Sequence, residues 1–144
     1  MNVNPELEIV IVEDNPNDAE LLMRIFKKHN MVNNIVLLKD GEEAMDYFFG
    51  ENGAVQVKPR VVILDLKLPK VNGIEILRKF KSDQRTKETP VVILTSSREE
   101  KDLKDAYSAG VNSYVIKPIK FADFAKVVSD LQLYWMLMNK PPVR

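Results

Sequence analysis

Short apolar runs separated by helical patterns constrain this chain more than any other feature. Five such runs recur: LEIVIVED at 7–14, NNIVLLKD at 33–40, RVVILD at 60–65, PVVILTSS at 90–97 and VNSYVIKP at 111–118. Their cores are Val, Ile and Leu with little polar alternation. A strand of that composition is covered on both faces, as parallel strands are. The intervening stretches place apolar residues at three- and four-residue steps. Residues 15–30 offer Leu21, Leu22, Ile25 and Phe26; residues 41–50 offer Ala44, Met45, Phe48 and Phe49; residues 72–83 offer Ile74, Ile76, Leu77 and Phe80. Asn15 is placed to cap the first of these helices, and Pro16 suits its first turn. Residues 98–110 predict a mostly polar helix closed by Gly110, and a long helix is expected from 119 to about 139.

Five strand–helix units follow one another with no linker, repeat or low-complexity break. This order predicts an α/β fold with a parallel sheet, right-handed crossovers and helices on both faces. The expected architecture is a doubly wound five-stranded sheet in the order 2-1-3-4-5, a flavodoxin-like (βα)5 arrangement. With 144 residues, the chain reads as a single domain, 1–144, with an extended helix and arm over about 131–144.

Charge and composition exclude several classes of function. Lys+Arg and Asp+Glu are both 21, which argues against a general nucleic-acid binder and hence against a DNA partner. There is no cysteine, so disulfides, thiolate nucleophiles and cysteine-based metal centres are excluded. No apolar run approaches the roughly 18–20 residues that span a membrane. The opening MNVNPELE lacks the basic and apolar regions of a secretory signal, so a cytoplasmic protein is expected.

In a doubly wound sheet the reactive crevice lies beyond the carboxyl ends of the strands, where the strand order reverses. Strands 1 and 3 meet there, and they end in Glu13, Asp14 and Asp65. Three ionised carboxylates in one space raise one another's pKa. A divalent cation removes the conflict, and oxygen-only donors favour Mg2+ or Mn2+. Such a cation also accepts phosphoryl oxygens, which points to phosphate chemistry. Strand 4 ends at Thr95 and Ser96, and strand 5 ends at Lys117. Asp65 thereby has the surroundings of a phosphoryl acceptor: a metal, an ammonium and a hydroxyl around a carboxylate nucleophile. Each residue alone has a plainer reading. Glu13, Asp14, Thr95 and Ser96 could be helix caps, and Lys117 a solvated charge. Their convergence at four strand ends favours the site.

VED (12–14), LDLKLPKVNG (64–73), VVILTSS (91–97) and YVIKP (114–118) resemble, in order and spacing, the receiver domain of two-component response regulators. The resemblance covers residues 7 to 135. It implies that Asp65 is phosphorylated from a phosphohistidine on a sensor histidine kinase. It implies Mg2+ held by Glu13, Asp14, Asp65 and the backbone carbonyl of Lys67. It implies that Thr95 and Lys117 contact the phosphoryl group, with Ser96 beside them, and that the Lys117–Pro118 peptide is cis. Phosphorylation would draw Thr95 inward and turn Tyr114 in behind it; otherwise Tyr114 is a tyrosine packed at a strand edge. The protein would then be no enzyme, but a phosphoacceptor that assists its own phosphorylation and dephosphorylation. Lys67, two residues after Asp65, could reach the phosphoryl group and tune its lifetime, or could be a solvated lysine. EDNPNDAELL, the long loop after the second helix, RTKETPVVILTSS and the late YW are similar to single-domain receivers that serve bacterial phytochromes.

The sequence stops at Arg144, so output by protein contact is expected. Phe121, Phe124, Val128, Leu131, Trp135 and Met138 step along the last helix as a face toward the sheet. LQLYWMLMN (131–139), however, is apolar nearly all round. A homodimer through this end is expected, with NKPPVR as a crossing arm; the alternative is that these residues close their own core. His29 ends the first helix, where a cation favours the helix dipole. A flavin- or nucleotide-binding protein would need a glycine-rich loop where this chain has EDNPND. A haloacid-type phosphatase would need an acid where this chain has Lys67. A non-phosphorylated receiver-like scaffold is the remaining rival.

Overall fold

The structure, a computed structural model, describes residues 8–28, 34–50 and 59–142. Five strands, β1 (Glu8–Val12), β2 (Asn34–Leu38), β3 (Val61–Leu64), β4 (Val91–Thr95) and β5 (Ser113–Ile116), alternate with helices. The helices are α1 (Pro16–Lys28), α2 (Gly41–Phe49), α3 (Gly73–Ser82), α4 (Glu100–Ser108) and α5 (Phe121–Leu133), and a π-helical turn, Tyr134–Met138, continues α5. All strand pairs are parallel, and the sheet order is β2-β1-β3-β4-β5, as the sequence pattern requires.

The apolar runs are covered on both sides. Every residue of β3 and β4 is buried, while the edge strands β2 and β5 are mostly half-buried. Alternate side chains serve two cores. Ile9, Ile11, Ile63, Val92 and Leu94 pack with Leu22 and Phe26 of α1 and Phe124 and Val128 of α5. Val10, Val12, Val62, Leu64 and Ile93 pack with Phe48 of α2, Leu77 and Phe80 of α3 and Ala106 of α4. The rings of Phe48 and Phe80 meet edge to face at 4.5 Å, a preferred aromatic geometry. Gly110 follows α4 at φ 96°, a conformation that L side chains rarely adopt, so it ends that helix as expected.

Register places the chemistry. Val12 is opposite Leu64, so the next residues, Glu13 and Asp65, leave the sheet side by side. The Asp65 N–H donates to the Val12 carbonyl at 3.0 Å, which prolongs the ladder one residue beyond β3. Gly73 opens α3 directly behind it. A Cβ at Gly73 would lie 2.4 Å from the Asp65 carbonyl oxygen, so only glycine permits this approach.

The last helix departs from its sequence pattern. Phe124, Val128, Leu131 and Trp135 are buried, but Phe121 and Met138 are each 66% exposed. Phe121 begins α5 and lines the crevice wall with Lys117 and Pro118 instead of covering the sheet. The π turn changes the angular step per residue, so Met136 rather than Met138 follows Trp135 into the core. Gln132 is also buried, and its Nε2 donates to the Phe26 carbonyl of α1 at 3.1 Å. His29, most of the loop at 51–59 and the end of the arm lie outside the described residues.

Candidate functional site: an acidic crevice at the strand ends

The site is built from four loops. After β1, Asn15 caps α1: its Oδ1 accepts from the N–H groups of Asn17 at 3.0 Å and Asp18 at 3.1 Å. The turn also ties Glu13, whose Oε2 accepts from the Asn15 N–H at 3.1 Å. Carboxylate oxygens of Glu13, Asp14 and Asp65 all lie within 4.8 Å of one another. Glu13 and Asp65 are buried, and Asp14 is exposed at the mouth.

Lys117 closes the crevice from β5. Its Nζ lies 2.7 Å from Glu13 Oε1, 2.9 Å from Asp18 Oδ2 and 3.1 Å from Asp65 Oδ2. Burial pushes the Glu13 carboxyl up to about 7; the Asp65 charge adds to this, and the hydrogen bond from Lys117 opposes it. Burial alone would lower the Lys117 ammonium. Its hydrogen bond to Glu13 and the charges of Glu13 and Asp65 outweigh burial and hold it above the usual range. The Lys117–Pro118 peptide is not the expected cis bond, since there is no cis peptide among the described residues. The trans form is the ordinary preference of an X–Pro bond, and from it Lys117 already reaches all three carboxylates.

Thr95 is fully buried at the end of β4, and its Oγ1 accepts from the Ser97 N–H at 3.3 Å. Ser96 is exposed and lines, with Lys117, Pro118 and Phe121, a cavity of about 280 Å³. Tyr114 is half-buried, and its hydroxyl donates to the Ser97 carbonyl at 3.2 Å. Burial raises the Tyr114 pKa, so it stays a donor at neutral pH. Lys67 donates its backbone N–H to Asp65 Oδ1 at 3.3 Å. Its ammonium lies 3.1 Å from Asp102 Oδ2 of α4, which also accepts from the Ser97 hydroxyl.

The structure thus brings together Glu13, Asp14, Asp65 and Lys117, with Thr95 and Ser96 at the adjoining end of β4 and Tyr114 within β5, linked to them through Ser97. Three residues here escaped the sequence reading. Asp18 lies in the first turn of α1, three residues after the cap Asn15, and an acid that close to the strand end is the signal that could have found it. Ser97 follows the two strand-end hydroxyls that were singled out. Asp102 carries no local signal, because its partner Lys67 is 35 positions away in the chain.

Four carboxylates face one ammonium, so the pocket is short of positive charge. The donor set of Glu13, Asp14 and Asp65, all oxygen, fits a hard divalent cation. A carboxylate backed by an ammonium and facing a cation site is equipped to take a phosphoryl group.

The sequence matches the response regulator receiver domain family over residues 9–129, and the chain belongs to that family. It is 43% identical to the probable methanogenesis regulatory protein FilR2 of Methanothrix harundinacea, over 93% of this chain and 86% of the relative. It is 34% identical to the response regulator Rcp1 of Synechocystis, over 92% of this chain and 91% of that protein. The crystal structure of the Mn2+-bound form of Rcp1 superposes with a TM-score of 0.87, at 31% identity over 94% of this chain and 99% of the other. The phosphorylated cyanobacterial phytochrome response regulator RcpA gives 0.86, at 31% identity over 94% and 98%. The protein is therefore a phosphoacceptor response regulator of two-component signalling. The doubly wound sheet is shared with these neighbours, and the Mn2+ of Rcp1 agrees with the acidic cluster as a divalent-metal site.

Proposed function

We propose that Asp65 is the phosphoacceptor and that its donor is a phosphohistidine on a sensor kinase. The observation that carries this is Asp65 itself, buried, with Lys117 Nζ 3.1 Å from one oxygen and the carboxylates of Glu13 and Asp14 alongside. An Asp65 oxygen attacks phosphorus, the P–N bond breaks and the imidazole leaves. Later, water attacks phosphorus, the P–O bond to Asp65 breaks, the carboxylate is regained and inorganic phosphate is released. Lys117 supplies charge to the phosphoryl oxygens, and the Thr95 and Ser96 hydroxyls can donate to them. Glu13, Asp14, Asp65 and the Lys67 carbonyl would hold Mg2+. When bound, the cation neutralises charge on the entering phosphoryl oxygens. The protein works as a signal carrier in the cytoplasm rather than as an enzyme with turnover on a separate substrate.

Thr95 and Tyr114 form the switch in this reading. Both meet at Ser97, one through its N–H and the other through its carbonyl. A dianion at Asp65 would accept from the Thr95 hydroxyl and draw that side chain off the Ser97 N–H, and the β4–α4 segment answers the change. The phytochrome association of RcpA supports a phytochrome-type kinase as the donor. A homodimer through the end of α5 is supported by the exposed Leu133, Tyr134, Leu137 and Met138. No DNA partner is required. No helix among the described residues is long and apolar enough to cross a membrane.

The experiment is incubation with acetyl phosphate and Mg2+, read by intact-protein mass. Wild type is expected to gain one phosphoryl group, and Asp65→Asn none. A wild-type mass that never changes, or an equal gain in Asp65→Asn, removes Asp65 as the acceptor.

A further inference from the structure

We infer that Asp102 is a positioning residue for the acceptor site, holding the Lys67 ammonium away from the phosphoryl position. The inference rests on Asp65 being the acceptor. Lys67 stands two residues from Asp65 and already donates its N–H to Asp65 Oδ1 at 3.3 Å. Its side chain is long enough to turn toward a group bound on Asp65, yet it runs to α4 and pairs with Asp102 Oδ2 at 3.1 Å. Asp102 is the less exposed partner, with its side chain 15% exposed against 54% for Lys67. It is anchored on a helix and also accepts the Ser97 hydroxyl, whose oxygen in turn accepts from the Glu99 N–H at 3.3 Å. The anion is therefore fixed and the cation is the mobile member.

A phosphoryl group on Asp65 is a dianion with strong acceptor oxygens. It competes with Asp102 for the same ammonium. Asp102 thereby weakens the hold of the acceptor site on a phosphoryl-like anion. The same contest ties α4 to the acceptor loop. While Lys67 stays on Asp102, the loop after β3 and the start of α4 are joined; a phosphoryl group that wins Lys67 parts them. The plainer role of Asp102, an acid in the first turn of α4 that favours the helix dipole, involves no such contest. The two roles differ in whether the effect of Asp102 passes through Lys67.

Titration of the full chain with fluoroberyllate in Mg2+, read by calorimetry, tests this. The variants are Asp102→Asn, Lys67→Met and the pair. Asp102→Asn is expected to bind roughly two- to fivefold more tightly than wild type, the scale of an exposed ion pair. In the Lys67→Met background the same substitution should change affinity by much less. Asp102→Glu keeps the charge and should restore wild-type affinity, with thermal melts reporting that each variant is folded. No effect of Asp102→Asn, or an equal effect in both backgrounds, overturns the positioning role. A wild-type protein that binds no fluoroberyllate at all instead removes the acceptor reading on which the role rests.

Discussion

Lys117 Nζ lies 2.7 Å from Glu13 Oε1, with both side chains nearly closed to solvent. The same ammonium reaches Asp65, so one cation holds two buried carboxylates. Removing it leaves them uncompensated. Breaking a buried pair costs several kcal/mol, and Glu13 relieves part of this by taking a proton. Lys117→Met is therefore expected to lose about 3 kcal/mol at pH 8, and less at pH 6. Added Mg2+ should recover part of the loss by replacing the missing charge. Urea unfolding at the two pH values, with and without Mg2+, measures this. An unchanged midpoint at pH 8 would mean that the pair contributes nothing.

Glu13 also sets a pH dependence. Its carboxyl is raised from 4.5 to about 7 in the folded protein, mainly by burial. Between those values the folded state keeps a proton that the unfolded state has released. The metal-free protein thus loses this group's stabilising contribution as pH rises from about 4.5 to about 7. Metal binding runs the other way, because a ligating carboxylate must be ionised. Mn2+ affinity, followed by electron paramagnetic resonance, is expected to fall about tenfold from pH 8 to pH 6. A flat profile over that range would show that Glu13 is not a ligand or is not raised.

The strands and their order were legible because β1, β3 and β4 are apolar runs with one plausible use. The site was legible for a related reason: in a doubly wound sheet the strand ends converge, so residues that close Val-rich runs must meet. Glu13, Asp65 and Lys117 are found where that rule puts them. The end of α5 was not legible. A 3.6-residue period assumes one step throughout, and the π turn at Tyr134–Met138 breaks the step without a proline or glycine to announce it. Nor was the Lys67–Asp102 pair legible, since pairing across 35 positions depends on how α4 is set against the loop after β3. Phe121 shows a third limit: helical spacing says which side chains share a face, not where the sheet beneath them ends.

Gly73 links packing to chemistry. A methyl group there would meet the Asp65 carbonyl oxygen at 2.4 Å and the Leu66 Cα at 2.6 Å. Both are backbone atoms that cannot rotate away. Overpacking of this kind typically costs about 1–3 kcal/mol, and relief requires the loop after β3 to move away from α3. Gly73→Ala is expected to lower the melting temperature and to slow phosphoryl uptake from acetyl phosphate. Asn72→Ala, which removes only the α3 cap, should cost about 1 kcal/mol and leave uptake near wild type. Equal uptake in both variants would mean that the loop tolerates the displacement.

The exposed end of α5 gives the last prediction. Leu137 and Met138 are 63% and 66% exposed, while Trp135 and Met136 beside them are buried. The π turn therefore holds one apolar pair in the core and offers the other to solvent, next to the half-exposed Leu133 and Tyr134. A charge placed in that patch meets water in a monomer and apolar surface in a dimer. Leu137→Glu is thus expected to leave the monomer fold intact, with a thermal transition close to wild type, because substitutions at exposed positions usually change stability by no more than about 0.5 kcal/mol. In a homodimer through this face, the same change buries an unpaired carboxylate and should shift the sedimentation coefficient at micromolar concentration from dimer to monomer. Wild type that sediments as a monomer, with or without phosphorylation, would remove the dimer, and a Leu137→Glu dimer of undiminished strength would move the interface elsewhere.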